Sequence, residues 1–251
     1  MKILICVKAV PSKLLGSNYA GNSAYSINPY DAYAIKQILG LCKTALSTIT
    51  CICMGPESAQ DVLVRCLAMG ADKAIHLCDS KFAGSDTFAT SRILAEAIMK
   101  LDYDLLVCGQ MAVDGETGQV QYGLAQRLNL VCLPKVQRIQ RQDAKQFIID
   151  YVNEGLLHRV QADTPLIISF DNLCEYTEVS LFALQQARKK EITVWNASDL
   201  SLRSDECGLT GSKTKVYRSR QYQEQSRETV IFHETRNEIA AFLMNQIKIH
   251  Q

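Results

Sequence analysis

The chain has 251 residues, 47% of them hydrophobic, and a formal net charge of +1. That length and apolar share suit one large α/β domain with a small extra element, and the balanced charge offers no overall field to nucleic acid or an acidic surface. No stretch reaches the ~18 apolar residues of a membrane span, and the start MKILICVKAVP is short and broken by Lys8, so it reads as a first strand rather than a signal peptide; the expected compartment is the cytoplasm. The ten cysteines are scattered, several within predicted strands (Cys6, Cys51, Cys53, Cys108), which fits buried free thiols in a reducing compartment. No C-x-x-C occurs and His76, His158, His233 and His250 lie far apart, so no metal site is expected.

In chain order, Lys2 to Val10 reads as a buried parallel strand closed by Pro11. Leu14 to Ser26 is an excursion or hairpin without a core pattern. Asn28-Pro29-Tyr30-Asp31 opens a helix, with Asn28 as N-cap and Pro29 in the first helical position. Its apolar face is Ala34, Ile35, Ile38, Leu39 and Leu41. Ser47 to Met54 is a second strand, ended by Gly55-Pro56. A helix begins at Glu57 or Ser58, runs through Val62, Leu63, Cys66 and Leu67, and stops at Gly70. Lys73 to Cys78 is a third strand. Ser85-Asp86-Thr87 caps a helix carrying Phe88, Ile93, Leu94, Ala97 and Ile98. Leu105 to Cys108 is a fourth strand with Gly109 at its end. Asp114-Gly115-Glu116-Thr117-Gly118 is turn chemistry, Asp or Thr being able to cap the helix of Val120, Leu124 and Leu128.

Four strand–helix alternations in ~130 residues imply a parallel sheet with helices on both faces. Lys8 to Pro11, Met54 to Pro56 and Gly109 to Gly118 should meet at one sheet edge, where a nucleotide could sit. The helix after Gly118 would aim free N–H groups at a phosphate there; an ordinary β–α turn that binds nothing fits the same residues. The dinucleotide fingerprint and the P-loop are both absent. Beyond Pro134 the pattern changes to antiparallel strands at Lys135 to Arg141, Gln146 to Val152 and Gly155 to Gln161. Leu166 to Phe170 is a further buried strand. Cys174 to Leu181 is extended, Phe182 to Lys190 a candidate helix, and Ile192 to Trp195 a last strand. Ser201 to Glu228 is a polar arm ordered only against the body or a partner, and Glu234 to Ile249 an amphipathic helix with Ile239, Phe242, Leu243 and Ile247 on one face. The expected division is a body of residues 1–195 and a C-terminal arm and helix of 196–251.

Several pieces, in order and at compatible spacing, carry a resemblance. They are Val7-Lys8-Ala9-Val10-Pro11, Asn28-Pro29-Tyr30-Asp31, Gly55-Pro56, Leu67-Ala68-Met69-Gly70-Ala71-Asp72, Gly109 to Gln119, and Ala187-Arg188-Lys189-Lys190. Together they resemble the β subunit of an electron transfer flavoprotein over nearly the whole chain. The resemblance implies a Rossmann-like α/β fold and a role in electron transfer, with no catalytic residue of its own because the flavin supplies the redox chemistry. It implies a larger α subunit holding most of the transferring FAD, and a β-subunit pocket holding AMP or, in electron-bifurcating members, a second FAD. By the family pattern that pocket is built from Cys6, Lys8, Asn28, Pro29, Tyr30, Asp31, Met54, Gly109, Asp114, Gly115, Glu116, Thr117, Gly118, Gln119, Val120 and Ala125. Lys8 and the N–H groups of Gly118 to Val120 would hold phosphates, and Asn28 and Asp31 would shape the wall.

A recognition loop would span residues 174–190, with Leu181 anchoring an acyl-CoA or other dehydrogenase and Arg188, Lys189 and Lys190 at its end. Taken without the family, Leu181 reads as a satellite core residue. Membrane contact would be indirect, through an acceptor. The chain departs from the family in Ser12-Lys13, in Gln110 where a Lys is usual, and in Phe182 in place of Pro. Asp114-Gly115-Glu116-Thr117-Gly118-Gln119-Val120 is similar to the Fix-like and bifurcating form. An adenine-nucleotide enzyme or a nucleotide sensor of a related α/β fold is the alternative; the former would need an S-G-G-x-D signature that Ser12 to Gly16 does not supply.

Overall fold

The structure, a computed structural model, describes residues 1–15, 23–42, 47–143, 145–174, 179–218, 220 and 235–249, without the side chains of 246–249. It falls into two units, Met1–Lys215 and Val216–Gln251.

The first unit opens with β1 (Lys2–Val7), β2 (Ala9–Pro11), β3 (Tyr25–Ile27) and α1 (Pro29–Leu41). The expected single strand to Val10 is broken at Lys8. Its far half turns away as β2 and pairs antiparallel with β3, Ala9 opposite Ile27. Next come β4 (Thr48–Met54), α2 (Gln60–Met69), β5 (Lys73–Leu77), α3 (Thr87–Ile98), β6 (Leu105–Gly109) and α4 (Val120–Leu128). Asp86 caps α3, its Oδ1 accepting from Ala89 N–H at 2.9 Å. The expected Asp or Thr cap of α4 is not formed: Gln119 holds the cap position and no side chain caps the helix.

The remaining strands are β7 (Cys132–Leu133), the antiparallel β8 (Val136–Arg141), β9 (Gln146–Asn153) and β10 (Leu156–Asp163), and β11 (Leu166–Phe170). After α5 (Leu181–Ala187), β12 (Ile192–Trp195) completes the main sheet. Ser180 caps α5 by accepting from Ala183 N–H, so the helix starts one residue earlier than expected and ends before Arg188. The extended stretch expected from Cys174 lies partly outside the described residues.

The main sheet has seven strands in the order β12-β5-β4-β1-β6-β11-β7, and every adjacent pair is parallel. Alternation along each strand sends side chains to two cores. Ile3, Ile5 and Val7 meet Ile35 and Ile38 of α1 and Val62 and Leu63 of α2. Leu4 and Cys6 face Ile93, Leu94 and Ile98 of α3 and Leu124 of α4. Phe147 and Ile149 seat the antiparallel sheet on the α1 side. The fold is therefore the expected doubly wound α/β architecture with a small antiparallel segment. None of the ten cysteines is joined in a disulfide, and seven of them are buried.

Residues 196–215 pack on the same body. Ala197, Leu200, Leu202 and Cys207 are buried on the α3 side, around a short helix α6 (Gly208–Gly211). In the second unit α7 (Arg236–Ile249) is described by itself. Thr235 N–H and Oγ1 both donate to Glu238 Oε2, at 2.9 and 2.6 Å, which fixes its first turn. No helix among the described residues is long and apolar enough to cross a membrane.

Candidate functional site

β4 lies on one side of β1 and β6 on the other, so the sheet reverses its winding direction at β1. Open α/β sheets bind ligands in the crevice at such a point. A cavity of 410 Å³ opens there, within the ~300–1,000 Å³ common for small-molecule sites. Its floor is Cys6, Val7 and Lys8 from the end of β1 and Cys108 and Gly109 from the end of β6, with Met54 at the end of β4. The three expected strand ends thus meet at one place.

Asp31 holds the floor together. It is 4% exposed and accepts Lys8 N–H at 2.7 Å on one oxygen and Gly109 N–H at 3.0 Å on the other. The first turn of α1 is thereby tied to two strand ends at once. Burial pushes its carboxyl up to about 7, against the lowering effects of the Lys8 N–H, the Asn28 side chain, the Gly109 N–H and the Lys8 charge. Asn28 stands at the N-cap position, but its side chain caps nothing. It reaches across instead, Nδ2 donating to Met111 O at 2.8 Å and Oδ1 accepting from Val113 N–H at 3.3 Å. The loop has a stronger claim on this amide than its own helix does, because peptide groups 111 and 113 would otherwise be unpaired.

The roof is the 111–121 loop. Gly118 has φ +59°, a conformation suited to glycine. Gln121, 2% exposed, donates through Nε2 to Gln110 O at 3.0 Å and to Gly118 O at 2.8 Å, closing the loop. Gln110, where the resemblance led one to expect Lys, turns from the cavity to accept from Ser169 Oγ at 2.8 Å. The uncapped start of α4 adjoins Gly118 and Gln119, both lining the cavity. A helix start of this kind offers N–H donors and positive dipole to an anion.

Lys8 extends over the mouth and donates to Asp114 Oδ1 at 2.6 Å, both side chains partly solvated. Glu116 and Asp86 also line the cavity, so its side chains are not on balance cationic and a bound phosphate would depend on backbone donors. The far wall comes from the polar arm, here ordered against the body. Asp86 Oδ2 accepts from Lys213 N–H, Thr214 N–H and Thr214 Oγ1, all within 2.9 Å. Burial opposes ionisation of Asp86, yet these bonds and that from Ala89 hold its carboxyl below the usual range. Thr214, Thr87 and Thr90 consequently line the cavity.

Of the residues expected to form a pocket, the cavity gathers Cys6, Lys8, Asn28, Asp31, Met54, Gly109 and Gly115 to Val120. Asp114 adjoins it through Lys8. Pro29, Tyr30 and Ala125 are not among the lining residues: Tyr30 is buried behind Gly109, and Ala125 packs into the α3–α4 core. The span Asp114 to Ala125 that the resemblance implies includes Gln121 without a role for it, and the Asp86–Thr214 clasp escaped sequence reading. Gln at the second position of a helix after a glycine turn is the only local signal for Gln121, and partners ~128 residues apart leave none for the clasp.

On α5, Leu181 is 86% exposed and Phe182 69%, which rules out the core reading of Leu181. Arg188, Lys189 and Lys190 are exposed, and Lys190 Nζ donates to Ala71 O at 3.1 Å.

Fold and site define a doubly wound α/β protein with a ligand-sized cavity at its topological switch point. The family model of the electron transfer flavoprotein domain matches residues 18–200. The chain is 33% identical to the caffeyl-CoA reductase–Etf complex subunit CarD of Acetobacterium woodii, over 99% of this chain and 98% of that protein. It is 32% identical to the electron transfer flavoprotein subunit beta of Clostridium acetobutylicum, over 99% and 98%, and 33% identical to protein FixA of Azorhizobium caulinodans, over 87% and 83%. The chain belongs to the electron transfer flavoprotein family, as a β-type subunit involved in electron transfer.

Proposed function

We propose that this chain is the β half of a cytoplasmic heterodimer, that it holds an adenine nucleotide in the cavity between β1, β6 and the start of α4, and that with a flavin-bearing α subunit it relays electrons from a dehydrogenase to a downstream acceptor. The observation that carries this reading is the meeting of three strand ends and an uncapped helix start around one 410 Å³ cavity in a member of this family. The nucleotide is AMP or a second FAD. Its phosphates lie against the N–H groups of Gly118 to Val120, and Lys8 exchanges Asp114 for a phosphate oxygen. The nucleotide-binding body takes in residues 196–215 as well as 1–195, since Thr214 lines the cavity, and the chain beyond them forms the arm that engages the partner. The chain itself moves no proton and forms no bond in the reaction. It positions the groups that do.

The test is an absorbance spectrum and nucleotide analysis of the chain purified alone and with its candidate α subunit. About two flavins per heterodimer supports a second FAD, and one flavin with AMP supports the simple carrier. No flavin even with the partner, together with ATP turnover, overturns the reading in favour of an adenine-nucleotide enzyme.

Residues 174–190 form the recognition element in this reading. A leucine this exposed stabilises the isolated chain little, so Leu181→Ala should move the unfolding free energy by no more than about 0.5 kcal/mol. As an anchor in a partner pocket it should be worth about 2 kcal/mol, or roughly a thirtyfold loss in affinity for the dehydrogenase. Titration calorimetry with the dehydrogenase, beside urea unfolding of the same variant, separates the two effects; unchanged affinity removes Leu181 from the interface.

A further inference from the structure

The cavity floor carries a chemical feature that nucleotide binding does not require. Cys6 and Cys108 occupy the ends of adjacent parallel strands. The β1–β6 register pairs Ile3 with Leu105, Leu4 with Leu106 and Ile5 with Val107, so the next step brings Cys6 opposite Cys108. Both side chains point to the α3–α4 side of the sheet and both line the cavity. They are 8% and 4% exposed, so what little surface they have faces a space open to small solutes. Neighbouring strands lie about 4.8 Å apart, inside the roughly 4.4–6.8 Å span between α-carbons that a disulfide bridges. The thiols Cys51 and Cys66 are also neighbours, but both are wholly buried and neither lines the cavity.

We propose that Cys6 and Cys108 form a vicinal dithiol that a small diffusible disulfide, entering through the cavity, oxidises to an intramolecular disulfide. In the first step the thiolate of one cysteine attacks the reagent's S–S bond. A mixed disulfide forms and one reagent thiolate leaves. In the second, the other cysteine gives up its proton to solvent and attacks the protein-side sulfur, forming the Cys6–Cys108 bond and expelling the second reagent thiolate. Two electrons pass from the dithiol to the reagent, which departs as two thiols. The hydrogen bond with Cys6, and then burial, hold the Cys108 thiol protonated well above the usual thiol range, so the reaction is slow at neutral pH and quickens in alkali. The new bond draws together the two strand ends on which the cavity floor is built. The cross-link does not depend on the nucleotide reading; only its effect on nucleotide binding rests on that.

The experiment treats the full chain, freed of small ligands, with oxidised glutathione at pH 7 and pH 9, traps remaining thiols by alkylation, and maps peptides without reduction. The expected result is a linked peptide pair containing Cys6 and Cys108 that forms at least tenfold faster at pH 9, persists in Cys132→Ser, and is reversed by dithiothreitol. Cys6 and Cys108 recovered as alkylated thiols or as separate glutathione adducts overturn the proposal, as does linkage through any other cysteine. These outcomes are read on the wild-type chain, so they stand even where Cys108→Ser fails to fold. Preloading with AMP or FAD should slow the cross-link severalfold. A cross-link that forms at the same rate with and without them upholds the dithiol and counts against the nucleotide site.

Discussion

Gly109→Ala is expected to destabilise the chain by about 3–5 kcal/mol, combining overpacking of up to ~3 kcal/mol with a broken buried hydrogen bond of ~1–3 kcal/mol. The backbone angles at Gly109 are ordinary; space is the constraint. A β-carbon there would overlap Asp31 Oδ1 and lie 2.7 Å from the Tyr30 β-carbon and 3.0 Å from Asp31 N. Two of those atoms belong to the first turn of α1 close to its axis, where no rotamer change can relieve them. The strand end and the helix must separate, and the Gly109 N–H to Asp31 bond goes with the separation. Gly40→Ala is the control, since a β-carbon there meets nothing within 4 Å, and in a helix it should be neutral or stabilising by up to ~1 kcal/mol. Urea unfolding of the two variants checks the contrast. Equal midpoints would mean that α1 does not press on the end of β6 in solution.

The second large effect is at Asp31. Asparagine has nearly the same shape, but its amide nitrogen cannot accept, whereas both carboxyl oxygens of Asp31 keep lone pairs that can, the protonated one included. Either Lys8 N–H or Gly109 N–H loses its partner and faces another N–H, at a cost of about 1–3 kcal/mol. The pH dependence tests the electrostatic half of the argument. The Asp31 carboxyl stands at about 7 in the fold and near ~3.9 in an unfolded chain, so folding takes up a proton between those values. The stability tied to that proton is complete below pH ~4 and is lost as pH rises through 7. The stability gap between wild type and Asp31→Asn should therefore be widest near pH 4 and narrow toward pH 7.5. A gap that widens with pH would show instead that the two N–H bonds keep Asp31 ionised despite its burial.

These two residues also show what could and could not be seen in the sequence. The alternation of apolar runs and glycine turns gave the strands, their parallel order and the shared edge, because each of those signals is local. From its own surroundings Asp31 was legible only as an acidic residue in a first helical turn, and only the resemblance made it part of the pocket wall. Its two partners lie 23 and 78 positions away, and nothing near Asp31 marks them. Asn28 was misread for a related reason: cap chemistry is local and tertiary bonds are not, and the 111–113 peptides won the amide. Composition marks segment 201–215 as a polar arm ordered only against the body or a partner, and does not say which. Leu202, Cys207 and Ser212 are buried, and the segment is clasped by Asp86 from a helix more than a hundred residues earlier. Local patterns fixed where the cavity would be; the groups that brace its walls are long-range pairs.

The strand order bears on how the chain is made. Of the strands of the main sheet β1 leaves the ribosome first, yet it sits in the middle of the sheet with β4 on one edge and β6 on the other. Its pairing with Leu105 to Val107 must wait for roughly a hundred more residues, about 5–20 s at ~5–20 residues per second. Through that interval a nascent chain carries the apolar segment Ile3 to Val7 with one edge unsatisfied, a ready template for pairing with a neighbouring polysome product. β5 waits longer still, since β12, the last strand of the sheet in chain order, covers it. The architecture that gathers distant strand ends around one cavity thus makes the half-synthesised chain a client for holding chaperones.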